Sequence, residues 1–134
     1  MVRSALKEDI PWILALEKQC FPMPRERIDL QDFIVDSEHR GYADMKTVVD
    51  EGYIGNVAVL PECRRQGIAS SLIEALIERA KTEGLAFVTL EVRASNEAAI
   101  SLYEKHGFFK AGLMKNYYFL PKEDAIIMTA EKFQ

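Results

Sequence analysis

A chain of 134 residues, of which 49% are hydrophobic and 28% charged, is long enough for one domain with a real core and too short for two. Its formal net charge of −4 argues against broad binding to nucleic acids. No apolar stretch approaches the roughly 20 residues that cross a bilayer, and the first residues lack a signal-peptide pattern.

The cysteines and histidines predict no metal centre. Cys20 and Cys63 are far apart and form no C-x-x-C pair, so the sequence indicates neither a zinc site nor a disulfide framework. His39 and His106 are single and distant, which is more typical of surface or capping positions than of metal ligands. A reduced, cytoplasmic setting is the simplest inference.

The first third of the chain predicts one strand and two helices. Residues 2–4 are typical of a short strand, and Asp9 precedes an amphipathic helix. Pro22 and Pro24 end that helix because proline cannot continue the hydrogen-bonded ladder. A second short helix is expected over residues 28–35.

From Gly41 onward the pattern changes to strands. Residues 42–49 predict a strand and residues 50–52 a turn. The run 57–60 is short, apolar and β-branched and is stopped by Pro61, so it predicts a buried central strand.

A basic turn then opens into a long helix that ends near residue 82 and is closed by Gly84. The apolar side chains that recur at helical spacing are Ile68, Leu72, Ile73, Leu76 and Ile77. The first N–H groups of such a helix have no helical partner and carry partial positive charge, so the turn predicts a phosphate site. Gly67 permits close approach, and Arg64 and Arg65 add charge. Taken alone, a surface helix start with stray arginines is at least as good an interpretation.

The last third predicts a strand over residues 85–92 and a helix that Ser95 or Asn96 caps and Gly107 ends. Two closing strands follow, residues 108–119 and 125–129. Helices that interrupt a sheet with hairpins at both ends predict an α+β mixed sheet in a single domain, residues 1–134.

Acidic residues crowd the first half of the chain, which predicts either a solvated face or, less favoured, an acceptor side for a cationic substrate. They are Glu26, Asp29, Asp32, Asp36, Glu38, Asp44, Asp50 and Glu51.

Three motifs carry a resemblance to a known family. The pattern R-x-x-G-x-A over residues 64–69, placed after V-x-P, resembles the acetyl-CoA pyrophosphate loop of the GNAT N-acetyltransferases. The more specific motifs L-E-V-R-A-S-N (90–96) and L-Y-E-x-x-G-F (102–108) resemble its RimI-type branch, the ribosomal-protein alanine N-acetyltransferases.

The resemblance implies the GNAT fold, a mostly antiparallel central sheet flanked by about four helices. In relatives, a strand and a turn separate the second helix from the strand that begins near Gly41. Here His39-Arg40 runs straight into Gly41-Tyr42. We therefore expect the sheet to lack one early strand, or the sequence to omit a segment.

The resemblance implies that Glu91 is a general base, acting directly or through water, and that Tyr103 is the general acid for the departing CoA thiolate. Glu91 lies in an apolar strand, where partial desolvation would make its carboxylate a better proton acceptor. From the strand alternation alone, a solvent-facing carboxylate is the better interpretation, and the motif favours the base. For Tyr103 the alternative is a core aromatic, and both roles are compatible.

The resemblance also implies the binding residues. The cofactor-binding set is the backbone of Val57 and Val59, the turn residues Arg64, Arg65, Gly67, Ile68 and Ala69, and Asn96, which can also cap its helix. Tyr117 and Tyr118 match acceptor-side tyrosines, with strand packing an equally good interpretation.

The implied reaction is direct transfer of an acetyl group from acetyl-CoA, without a metal, to the N-terminal amine of a protein. By resemblance that amine belongs to the alanine of a small-subunit ribosomal protein. The alternatives are a GNAT enzyme for another N-terminus, a lysine or a small amine, and a CoA-binding regulatory module with impaired catalysis. We expect a monomer or weak dimer that binds neither nucleic acid nor membranes.

Overall fold

The computed structural model describes residues 1–133 and has a seven-stranded sheet with three α-helices among those residues. The strands are β1 (Val2–Ser4), β2 (Phe33–Asp36), β3 (Gly41–Val48), β4 (Glu51–Val59), β5 (Phe87–Arg93), β6 (Phe109–Phe119) and β7 (Lys122–Glu131). The helices are α1 (Ile10–Cys20), α2 (Ile68–Glu83) and α3 (Glu97–Lys105). Short 3₁₀ turns lie at Lys7–Asp9, Leu30–Asp32 and Pro61–Cys63.

The sheet is mixed and mostly antiparallel, in the order β1-β2-β3-β4-β5-β7-β6. The pairs β1–β2, β2–β3, β5–β7 and β6–β7 are antiparallel, whereas β4 and β5 are parallel. The β4–β5 register covers Glu51–Tyr53 on β4, three of its nine residues. The predicted α+β class is confirmed.

The chain divides into two compact units, and the first comprises residues 1–46 and 54–76. In it, β2 pairs with β1 on one side and with β3 on the other, and Val35 lies opposite both Arg3 and Tyr42. Its core cluster consists of Ala5, Ile13, Leu16, Phe33, Val35, Tyr42 and Ala58. Helix α1 contributes its apolar face to this cluster, as its spacing predicts.

The second unit comprises residues 47–53 and 77–133. Strand β7 lies between β5 and β6, and along β5 the buried residues Val88, Leu90 and Val92 alternate with less buried ones. The edge strand β6 is exposed at every residue except Tyr118, which is half-buried. The β6–β7 register shifts between Met114 and Tyr118, where the backbone of Asn116 is left-handed.

The helix predicted for residues 28–35 is wrong. The segment forms the 3₁₀ turn Leu30–Asp32 and then β2, whose four residues are all buried. A strand covered on both faces shows no apolar-polar alternation, so its period cannot be read from the sequence. Of the two alternatives expected before Gly41, the lack of an early strand is therefore wrong, and the three α-helices within residues 1–133 correct the expected four.

Most predicted element ends are confirmed, with one extension. Helix α1 ends before Pro22 and α2 ends before Gly84. Strand β4 begins at Glu51 rather than at residue 57, so the turn between β3 and β4 narrows to Val49 and Asp50.

The acidic run is not a uniformly solvated face. Asp36 and Asp44 are buried and paired with arginines: Arg40 Nε donates to Asp36 at 2.7 Å, and Arg25 donates to Asp44 at 3.0 Å. No helix within residues 1–133 is long and apolar enough to span a membrane.

Candidate active site

The turn from β4 into α2 exposes a helix N-terminus. After the 3₁₀ turn Pro61–Cys63, both Arg65 (φ 64°) and Gly67 (φ 81°) adopt left-handed backbone conformations. Ser71 N–H donates to the Gly67 carbonyl at 3.0 Å, and α2 begins at Ile68. The first amides of a helix have no acceptor one turn earlier and carry partial positive charge, so this end of α2 suits an anion.

Gly67 leaves room for that anion. It is exposed, and a Cβ placed on it would meet nothing within 4 Å. A side chain here would therefore fill open space in front of the helix N-terminus, besides straining a left-handed backbone. The exposed Arg65 beside it adds a formal positive charge. These residues fit a phosphate group.

The Arg64 side chain donates hydrogen bonds to two other residues of the first unit. Its Nε donates to the Val59 carbonyl at 3.3 Å and its guanidinium to Cys20 Sγ at 3.7 Å. The side chain therefore secures the end of β4 against α1, and its positive charge stays beside the turn. Val57 is half-buried and Val59 is buried, so this end of β4 meets the turn as ordered strand.

Glu91 is exposed on β5, between the buried residues Leu90 and Val92 and opposite Ile127 of β7. The partial burial expected for its carboxylate is not found, because strand alternation directs this position to the less buried face. Glu91 is accessible to a substrate amine without any rearrangement of the strand.

Glu91 lies close to the two tyrosines predicted for the acceptor side. Burial first, and then the Glu91 charge, raises the pKa of Tyr117. The pKa of Tyr118 is raised to about 12 by burial, by Tyr117 and then by Glu91. The two rings meet edge to face with centroids 5.0 Å apart. The second unit thus brings these three predicted residues together.

Tyr103 extends this group into the interior. It lies on α3, is 9% exposed and packs edge to face on Phe108 with centroids 5.6 Å apart. Burial, and then the neighbouring Tyr118, raises its pKa to about 12. The hydroxyl is therefore protonated at neutral pH and can donate a proton or a hydrogen bond. The Tyr103 ring is also a buried aromatic of the core, which was the alternative interpretation of this residue.

Asn96 caps α3. Its Oδ1 accepts a hydrogen bond from Ala99 N–H at 3.2 Å, which satisfies one of the amides that the helix leaves unpaired. The capping role predicted for Ser95 or Asn96 thus falls to Asn96.

Two residues near Glu91 were missed by the sequence reasoning, Arg93 and Tyr53. Arg93 Cζ lies 4.2 Å from the centroid of the Tyr118 ring, and its guanidinium donates to the Leu120 and Pro121 carbonyls at 3.0 and 2.8 Å. It therefore holds the β6–β7 hairpin and Tyr118 in place. The sequence could have indicated Arg93, because it lies two residues after Glu91 and residues two apart on a strand share a face.

Tyr53 on β4 lies opposite Thr89 and donates its hydroxyl hydrogen bond to Glu51. That bond raises the pKa of Tyr53 most, and the Glu91 charge adds a smaller contribution. Tyr53 was missed because its contact with the β5 face depends on the parallel β4–β5 register, which sequence spacing does not reveal.

Among residues 1–133, no group of three or more His, Cys, Asp or Glu side chains is placed to hold a metal ion.

Comparison with known proteins identifies the family. The model of the acetyltransferase (GNAT) family matches residues 15–108. The [ribosomal protein bS18]-alanine N-acetyltransferase of Salmonella typhimurium is 41% identical over 120 residues, which are 88% of this chain and 79% of that protein. The enzyme of the same name from Escherichia coli K12 is 47% identical over 89 residues, 65% of this chain and 60% of that protein.

The solved structures agree. The crystal structure of the ribosomal-protein-S18-alanine N-acetyltransferase from Escherichia coli superposes with a TM-score of 0.85 at 32% identity, covering 98% of this chain and 92% of that one. The acetyltransferases of this family take their acetyl group from acetyl-CoA. The chain therefore belongs to the GNAT family and is an acetyl-CoA-dependent N-acetyltransferase.

Proposed function

We propose that this enzyme acetylates the N-terminal α-amine of a protein, and that its acceptor is the N-terminal alanine of ribosomal protein bS18. The observation that carries the proposal is the 41% identity, over 88% of this chain, to a bS18-alanine N-acetyltransferase. The exposed Glu91 carboxylate on β5 and the neighbouring Tyr117 and Tyr118 on β6 support it, since they suit an amine.

The chemistry needs a neutral amine held in place. A free α-amino group has a pKa near 8, so only about a tenth is nucleophilic at pH 7. Correcting that deficit is worth only about 1.4 kcal/mol, so positioning the amine supplies more of the rate enhancement. Acetyl-CoA supplies the acetyl group as a thioester.

Glu91 and Tyr103 handle the two protons of the transfer. A carbon–nitrogen bond forms and the carbon–sulfur bond breaks; Glu91 takes the proton that the amine loses, directly or through water. Tyr103 gives a proton to the CoA sulfur, or a hydrogen bond that stabilises its thiolate. The exposure of Glu91 and the protonated Tyr103 hydroxyl support these roles.

The donor binds along β4 and the following turn. The main-chain amides of Ile68 and Ala69 bind the pyrophosphate, Gly67 gives it room, and Arg64 and Arg65 supply positive charge. The backbone of Val57 and Val59 binds the pantetheine arm, and Asn96 contributes its side-chain amide. In support, the β4–β5 register ends at Tyr53, and the turn suits an anion.

The acceptor peptide lies against Tyr117 and Tyr118. Tyr117 is an exposed and Tyr118 a half-buried aromatic side chain beside Glu91, which suits the apolar stem and the amine of an N-terminal residue. The whole chain acts as one cytoplasmic domain, as a monomer or weak dimer, and without nucleic acid or membranes as partners.

The test is mass spectrometry of products from acetyl-CoA and a panel of acceptors: a peptide with the bS18 N-terminus, peptides with other N-termini, an internal-lysine peptide with a blocked N-terminus, and polyamines. We expect acetylation of the bS18 peptide at its α-amine. Turnover confined to lysine or small amines would overturn the acceptor assignment. Binding of CoA in calorimetry, with no transfer to any amine, would indicate a regulatory module instead.

A further inference from the structure

A buried polar network in the first unit joins α1, the α1–β2 connection, β3 and β4. Arg25, in the connection, lies between two carboxylates, Glu17 on α1 and Asp44 on β3. The side chains of Glu17 and Asp44 are 1% and 8% exposed. One guanidinium therefore pairs with two buried carboxylates, and either carboxylate would be costly to bury without it.

The geometry on Arg25 is close to ideal. Its Nε and one terminal nitrogen donate to the two oxygens of Glu17, both at 3.1 Å. Both terminal nitrogens donate to Asp44, each at 3.0 Å, and Arg25 N–H donates to Glu17 at 2.9 Å. Such forked pairing fixes direction as well as charge, which lysine cannot reproduce.

The network ends on Asn56 of β4. Asn56 N–H donates to Asp44 Oδ1 at 3.0 Å, and its side-chain amide donates to both Glu17 oxygens at 3.1 and 3.2 Å. A side-chain carboxylate thus accepts from this β4 amide. The next residue is Val57, whose backbone we assign to the pantetheine arm.

The sequence makes room for the arrangement at Gly55. A Cβ there would lie 2.3 Å from Asp44 Oδ2, so only glycine lets this carboxylate reach the β4 backbone. Tyr42 completes the set by donating its hydroxyl hydrogen bond to Glu17.

We propose that Arg25 and Asp44 are positioning residues for acetyl-CoA: they fix the β4 backbone at Asn56, and thereby the path of Val57–Val59 along which the pantetheine arm binds. The inference rests on the proposed donor site. It differs from a purely structural role because it predicts a loss of CoA affinity beyond any loss of stability. A misplacement of even about 1 Å can lower an enzyme's rate by a large factor, because the groups that hold the substrate no longer meet it.

The chain offers a matched control in Asp9. Like Asp44, Asp9 is a buried carboxylate that binds a forked, partly exposed arginine, with Arg3 donating at 2.7 and 3.0 Å. Like Asp44, it accepts from a main-chain amide, Leu6 N–H at 2.7 Å. Its recorded partners lie on β1, on α1 and in the loops beside them, and none is on β4.

The experiment measures CoA affinity by calorimetry, the KM of acetyl-CoA and the melting temperature for the full chain and its variants. We expect Asp44→Ala to weaken CoA binding and raise this KM at least roughly tenfold. Asp44→Asn keeps an oxygen that accepts from Asn56 N–H but places its amide nitrogen against an Arg25 donor, so it should recover only part of the affinity. Asp9→Ala should lower the melting temperature and leave CoA affinity unchanged.

A folded Asp44→Ala variant that binds CoA as the parent does would overturn the inference, and so would an Asp9→Ala variant with an equal loss of affinity. Arg25→Gln carries the same expectation as Asp44→Ala and decides the matter if that variant does not fold. A parent chain that does not bind CoA at all would instead remove the proposed donor site, and this inference with it.

Discussion

Among single residues, the two proposed catalytic groups lie in opposite environments. Glu91 is exposed on β5, whereas Tyr103 is 9% exposed with its pKa raised to about 12. A base has to meet the amine as it arrives, so exposure is no handicap. An acid has to stay protonated until the thiolate forms, and burial secures this for a tyrosine.

Replacing Glu91 with glutamine should lower kcat about 100-fold, because a positioned proton acceptor contributes about that much or more. CoA affinity should change little. The matched control is Glu131→Gln, which removes an exposed carboxylate from β7 of the same unit and should leave kcat unchanged. Steady-state rates at several pH values measure both, and a Glu91→Gln enzyme with the parent rate would remove Glu91 as the base.

Replacing Tyr103 with phenylalanine should keep the packing on Phe108 and lose only the hydroxyl. We expect the single-turnover rate to fall about 100-fold while the melting temperature and CoA affinity stay near those of the parent. Quenched-flow measurement with enzyme in excess separates the chemical step from product release. A single-turnover rate equal to the parent's would contradict the acid role.

Among the elements, the N-terminus of α2 is the part of the proposed donor site with the clearest physical basis. Its turn combines a helix end, a left-handed glycine and open space where a Cβ would project. The same helix is followed by Gly84, which is also left-handed and also has nothing within 4 Å of a Cβ position. Substitutions at both glycines strain the backbone, but only a side chain at Gly67 would also obstruct the proposed phosphate site. Comparing the two variants therefore separates these effects.

Gly67→Ala and Gly84→Ala should each destabilise the chain by about 1 kcal/mol, since each places an alanine in a left-handed conformation. Only Gly67→Ala should weaken CoA binding, by roughly tenfold if it costs one hydrogen bond to a charged group. Calorimetry with CoA and thermal melting give both quantities. Equal CoA affinities in the two variants would place the phosphate elsewhere.

The elements that the sequence predicts best are those with one solvated face. Helix α2 shows its apolar stripe and stops at a glycine, and α3 has Asn96 at its start. Strand β2 shows none of this, since all of its residues are buried and one of its two neighbours in the sheet, β1, is remote in sequence. Periodicity reports a contrast between two faces, and β2 has no such contrast.

For the molecule as a whole, motifs located the candidate residues but not the contacts that hold them. Glu91, Tyr117 and Tyr118 were predicted, and they do lie together in the second unit. The Arg25 network was not foreseen, because its pairs join residues 19 and 39 positions apart, Arg25 with Asp44 and Asn56 with Glu17. The composition shows that the chain has acidic and basic residues that can pair, but it does not show which acids are buried with which arginines.

Buried ion pairs also make the stability of the whole chain depend on pH. Arg40 donates to Asp36 at 2.7 and 2.9 Å, and these bonds lower the Asp36 pKa from 3.8 to about 2. Because the folded-state pKa lies below the unfolded value, the stabilisation is complete above about pH 4 and is lost as the pH falls towards 2. At neutral pH it amounts to about 2 kcal/mol.

Asp36→Asn should therefore lower the free energy of unfolding at pH 7 by about 2 kcal/mol, and its difference from the parent should shrink as the pH falls from 4 to 2. Urea titrations at each pH measure the two curves. Glu74→Gln, which removes an exposed carboxylate from α2, should run parallel to the parent throughout. If the Asp36→Asn curve also runs parallel, the Asp36 carboxylate is not protonated on unfolding in this range, and acid lability must come from other buried acids such as Asp9, whose pKa Arg3 lowers further.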